Sequence, residues 1–81
     1  MPYITQDVRK ELDNNERKPD ALGELSYEIT MLIKDYLDRR GHGYRNYVGV
    51  IGVLESVKLE IYRRLIAPYE DRKKEENGDV F

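Results

Sequence analysis

Apolar residues recur at helical spacing along most of the chain. In the stretch after Pro19 they fall at Leu22, Leu25, Ile29, Leu32, Ile33, Tyr36 and Leu37. Steps of three, four and one place them on a single helical face of roughly 120°. Pro19-Asp20 opens this second helix. Arg39 and Arg40 suit its negative end, and Gly41 is a natural stop. A loop, Gly41-His42-Gly43-Tyr44-Arg45, leads to a third helix beginning near Asn46 and reaching at least Ile66. Its apolar residues sweep roughly 240°, more than one neighbouring helix covers. The Val48–Val53 run is β-branched, as in a strand, but the pattern continues at helical spacing through Leu65, too long for one strand. Pro68 is expected to kink or end this helix. The charged segment from Tyr69 to Glu76 forms a last helical piece, stopped by Asn77-Gly78. Before Pro19, Thr5 caps a short helix through about Arg17, with Val8 and Leu12 as an apolar pair. Asn14-Asn15 weakens its end and Lys18-Pro19 closes it. The expectation is an all-α fold: an antiparallel hairpin of two long helices plus a short N-terminal helix. Residues 1–81 form one domain, with tails at 1–4 and 77–81.

Length changes the meaning of the wide apolar arc. A chain of 81 residues has a marginal core. It has no cysteine and one histidine, so disulfides and cysteine metal sites are excluded and a histidine metal centre is disfavoured. Self-association is the remaining common source of stability, most simply a homodimer joined through the third helix. Gly49, Gly52 and Ser56 fall on one side of that helix, within roughly 60° of one another. Glycine inside a helix costs about 1 kcal/mol against alanine, so a close backbone approach is expected there. Val48, Gly49, Gly52, Ser56 and Leu59 are the candidate interface; packing against the first helix of the same chain is the alternative.

The net charge of -2, from 14 basic and 16 acidic residues, gives no global case for nucleic acid. No apolar run approaches the roughly 20 residues of a membrane span. The start lacks a secretory pattern, so the expected location is the cytoplasm. Local chemistry concentrates at the turn, where Arg39, Arg40, His42, Tyr44, Arg45 and Tyr47 fall close together. Guanidinium forks and a helix N-terminus favour a phosphate, and a tyrosine can stack on a base. Arg39, Arg40, Tyr44 and Arg45 are therefore candidates for an anionic, nucleotide-like small molecule. Lys58 supports them from the middle of the apolar arc. The simpler account makes the arginines a complement to the second helix's end and Lys58 an ion-pair partner of Glu55. In a second cluster, Tyr62, Arg63, Arg64 and Tyr69, the two arginines point away from the apolar arc and read as solvent-exposed.

No catalytic constellation is legible. Ser26 and Ser56 lack a base partner. Glu24 and Glu28 could hold a divalent metal, as in all-α nucleotide pyrophosphohydrolases, but the paired carboxylate motifs of those enzymes are missing and both glutamates read as solvent-side. The expectation is no enzyme, no cofactor and no metal. The rivals are a protein-binding adaptor or inhibitor of a host enzyme, and a metal-dependent nucleotide hydrolase.

Two resemblances extend this picture. Met1-Pro2-Tyr3-Ile4, Leu54 to Arg64, Ala67-Pro68-Tyr69-Glu70-Asp71 and Glu76-Asn77-Gly78-Asp79-Val80 resemble a family of short uncharacterised proteins of bacteria and their phages. That resemblance implies no particular activity. The hairpin, the arginine-rich turn and the Leu54-Glu55 step are similar in architecture to phage sponge proteins that sequester cyclic nucleotide signals. That likeness implies subunits that oligomerise around a phosphate ligand.

Overall fold

The computed structural model describes residues 1–81 as helices joined by turns, with no strand. The order is α1 (Gln6–Asp13), α2 (Leu22–Arg40), α3 (Tyr44–Ile61), a π-helical turn (Tyr62–Ile66) and α4 (Ala67–Asn77). The chain divides into two compact units, Met1–Asn46 and Tyr47–Phe81.

In the first unit, Thr5 caps α1 as its residue type suggests, its hydroxyl accepting from the Val8 N–H at 3.4 Å. The helix stops at Asp13, four residues before the expected Arg17. Asn15 takes a left-handed φ of 57°. Its N–H reaches the Leu12 carbonyl, while the Glu16 N–H reaches that of Glu11. Those two bonds satisfy two of the carbonyls in the last turn of α1, and asparagine tolerates the conformation they need. The early stop releases Arg17 from the helix.

Helix α2 starts at Leu22 rather than at Pro19-Asp20, with no side-chain cap on Ala21. Its C-terminus meets the expectation: Gly41, at φ 115°, closes it by donating to the Leu37 carbonyl at 2.8 Å. Asn46 Nδ2 donates to the Gly41 carbonyl at 2.9 Å and joins the turn to the end of α2.

The larger correction concerns which face of α2 is covered. The apolar positions read from the sequence leave Leu22, Leu25, Ile29, Leu32 and Tyr36 exposed. The buried residue is Tyr27, on another side of the helix. Its hydroxyl donates to both Asp13 carboxylate oxygens at 2.9 and 3.1 Å, and the Arg9 guanidinium lies 5.8 Å from its ring centre. Leu12 is the other buried apolar residue of this unit. Arg17 ties α1 to α2, donating from Nε to Glu11 at 2.7 Å and from Nη1 to Glu24 at 2.6 Å. Polar pairing thus accompanies the covered side of α2, and most of its apolar stripe is left open, with Ile33 and Leu37 half-buried at its edge.

In the second unit the backbone stays helical through Pro68. Proline has no N–H and its ring crowds the carbonyl four residues back. A regular α-helix would lose a bond there. The chain instead widens into the Tyr62–Ile66 π turn, with the Ala67 N–H bonded to the Tyr62 carbonyl five residues back. Pro68 then sits in the first turn of α4, where a missing N–H costs least. Helix α4 ends at Gly78, at φ 93°, whose N–H reaches the Lys74 carbonyl. This is the stop expected at Asn77-Gly78. Val50 is the unit's one buried apolar residue.

Candidate functional site

The turn between α2 and α3 brings the sequence-nominated arginines close along the chain but into different environments. The last turns of α2 carry a ladder of opposite charges. Lys34 Nζ lies 2.9 Å from Asp38 Oδ2, and His42 Nε2 lies 2.6 Å from Asp38 Oδ1. Both partners hold the Asp38 carboxyl below its ordinary range, the His42 bond contributing most. Arg39 Nε donates to Asp35 Oδ2 at 2.9 Å, so this guanidinium is already matched by a carboxylate one turn earlier. Arg40 and Arg45 are exposed and no carboxylate lies within ion-pairing distance of either. Tyr44, 83% exposed, is the first residue of α3. The nominated set therefore reduces at this turn to two unpaired guanidiniums and an open tyrosine beside a helix N-terminus, with Arg39 engaged elsewhere.

Lys58 belongs to the second unit. Its Nζ lies 3.3 Å from Glu55 Oε1, the ion pair that the i, i+3 spacing suggests. In the second arginine cluster, Arg63 is held by both Glu60 oxygens at 2.9 Å, and Arg64 is exposed. The Tyr62 hydroxyl donates to Glu70 Oε1 at 2.7 Å, which raises the tyrosine pKa. A regular α-helix does not align residues eight apart. One wider π turn followed by one α turn does.

Of the two glutamates considered for metal binding, Glu24 is engaged elsewhere. The Glu24 side chain is 15% exposed, against the solvent-side position read from the sequence. It accepts from Arg17 and from the Asp20 N–H at 3.2 Å, and these bonds lower its pKa. The chain has no group of three or more histidine, cysteine, aspartate or glutamate side chains placed to hold a metal ion. Tyr27, Asp13 and Arg17 were missed as organising residues. The signal available for them was weak: an arginine and a tyrosine with carboxylates at no regular spacing.

The candidate interface residues stand open. Val48 is 51% and Leu59 57% exposed. Beyond their own helix, nothing lies within 4 Å of where a β-carbon would stand at Gly49 or Gly52. Ser56 Oγ donates to the Gly52 carbonyl at 3.0 Å, closing its hydroxyl on its own helix. No helix is long and apolar enough to cross a membrane.

These features define a small all-helical protein whose apolar surface is mostly uncovered and whose side-chain chemistry is mostly paired charge. The chain belongs to the family described as a domain of unknown function (DUF6899), whose model matches residues 1–80. No curated protein and no solved structure matches it.

Proposed function

We propose that this chain is a non-enzymatic, self-associating helical module that binds an anionic, nucleotide-like small molecule in its assembled form. One observation carries the self-association: Leu12, Tyr27 and Val50 are the only buried apolar residues in the chain. A folded domain needs apolar burial to offset the entropy of ordering its chain. The surface available for that burial is the exposed apolar part of α3, including Val48 and Leu59, and the Leu22–Tyr36 face of α2. The antiparallel pairing of the two long helices is part of the same proposal. Arg40, Arg45 and Tyr44 supply the ligand chemistry, charge from two free guanidiniums and a ring on which a base can stack.

Light scattering across a hundredfold concentration range tests the assembly; a monodisperse monomer at the highest concentration rules it out. Thermal shift with linear and cyclic nucleotides, with and without magnesium, tests the ligand. Stabilisation without turnover is the expected result, lost in Arg40→Ala/Arg45→Ala. The exposed α2 face also suits a protein-binding adaptor, and silence across the nucleotide panel moves the reading there. A hydrolase would have to draw Glu24 away from Arg17, and turnover in the magnesium arm is the outcome that establishes it.

A further inference from the structure

The exposed apolar surface of the second unit has a direction. Val48, Ile51, Glu55, Lys58 and Tyr62 are spaced by three, four, three and four residues. They form one seam along the helix. The π turn inserts one residue, so the next seam position is Ile66, four residues after Tyr62. The hydrogen bond from Tyr62 to Glu70 runs along this same side. Ile51 is 65%, Val48 51%, Tyr62 46% and Ile66 43% exposed. The seam is apolar at both ends and carries one negative and one positive charge at its centre.

Its order reads the same backwards with the charge inverted. Around a point between Ser56 and Val57, Glu55 mirrors Lys58 and Ile51 mirrors Tyr62. Val48 mirrors Ile66 once the extra π residue is allowed for. A two-fold axis through that point sets each member against its mirror residue on a second copy. We infer that a second copy of this chain packs antiparallel along this seam, with Glu55 facing Lys58 of the partner subunit and Lys58 facing the partner subunit's Glu55. This deepens the proposed self-association and rests on it. The charge pattern selects the orientation. In a parallel, in-register pair Glu55 would face Glu55 of the partner subunit, and Lys58 the partner subunit's Lys58, both repulsive. In the antiparallel pair the two Glu55–Lys58 ion pairs of the separate chains join into a four-charge cluster closed on both sides by apolar layers. The interface thereby differs from the glycine side of the helix. Val48 is common to both, Gly52 and Leu59 flank the seam, and Gly49 and Ser56 stand more than roughly 100° from its centre.

Charge reversal and cross-linking test the orientation in the full-length chain. Glu55→Lys and Lys58→Glu each put like charges together twice per dimer. Each is expected to raise the dimer dissociation constant about tenfold or more by light scattering. Mixing the two variants one to one is expected to restore wild-type affinity, because every facing pair is again opposite. The intrachain pair is absent from both variants, so a merely local role for it predicts no recovery. The chain has no cysteine, so Ile51→Cys and Tyr62→Cys introduce single thiols. Oxidation above the dissociation constant is expected to link the two variants to each other and neither to itself. A dimer whose affinity ignores the single charge reversals, or that links Ile51→Cys to itself, overturns the antiparallel seam and leaves self-association standing. A wild-type chain that stays monomeric at all concentrations overturns both.

Discussion

Tyr27 concentrates the residue-scale energetics of the first unit. Burial raises its phenol pKa most, with the hydrogen bond to Asp13 adding to the effect. Tyr27→Phe keeps the packed ring and removes the hydroxyl. Asp13 is exposed, so water replaces the lost donor and the expected cost is about 1 kcal/mol. Leu12→Ala opens a cavity at the most buried apolar position, 3% exposed, and is expected to cost about 2–3 kcal/mol. Urea unfolding at fixed protein concentration separates the two. Arg17 gives a pH signature. Its hydrogen bond holds the Glu24 carboxyl below the ordinary 4.5. A depressed carboxyl contributes stability above its unfolded value and loses it as pH falls through the folded one. Arg17→Gln is therefore expected to be less stable than wild type above about pH 5, with the gap closing as pH drops below 4.5. Asp38 titrates through the same acid window and is common to both proteins, so it cancels in the difference between them. None of these residues stood out in the sequence. Arg17 reaches Glu24 only because α1 stops at Asp13, and that stop depends on the left-handed turn at Asn15.

At the scale of elements, the local signals were legible and the nonlocal ones were not. Thr5, Gly41 and Gly78 end helices as their residue types dictate, since capping is settled within a few residues of the terminus. The pair Glu55–Lys58 was read from spacing for the same reason; Asp35–Arg39 is as local but was not read, and the two pairs weaken Arg39 and Lys58 as ligand groups. The covered face of α2 was misread because periodicity gives the direction of an apolar stripe without saying what packs on it. Pro68 was readable as a disturbance, but its form depended on how the freed carbonyls find partners, which the π turn settles. Pro68→Ala removes the reason for that turn. The expected result is a regular α-helix in which Tyr62 and Glu70 no longer align, with the Tyr62 pKa returning to its ordinary value of 10.0. Ultraviolet titration of the tyrosines checks this; an unchanged high-pH step would mean that the π turn does not need the proline. Gly49→Ala and Gly52→Ala project into open space and are each expected to favour the helix by about 1 kcal/mol. A weaker dimer from Gly49→Ala would place the contact on the glycine side.

For the whole molecule, the question is where its apolar burial comes from. The chain has the composition of a folded protein, 40% hydrophobic residues, yet Leu12, Tyr27 and Val50 alone are buried within it. Paired surface charges do not substitute for a core, because an exposed ion pair contributes about 0–1 kcal/mol. If the missing burial is supplied by a second copy, folding and association are one equilibrium, and stability depends on concentration. Each tenfold rise in protein concentration then adds about 1.4 kcal/mol of stability per dimer. For a unit of two such chains 1 kcal/mol moves the melting midpoint by about 2–4 °C. Circular dichroism melts over a hundredfold concentration range are therefore expected to shift upward by at least several degrees. Glu55→Lys is expected to melt lower at every concentration, and its one-to-one mixture with Lys58→Glu to return to the wild-type curve. A midpoint that stays fixed across that range would mean that the single chain is stable with its apolar faces open. Those faces would then be kept for a different protein.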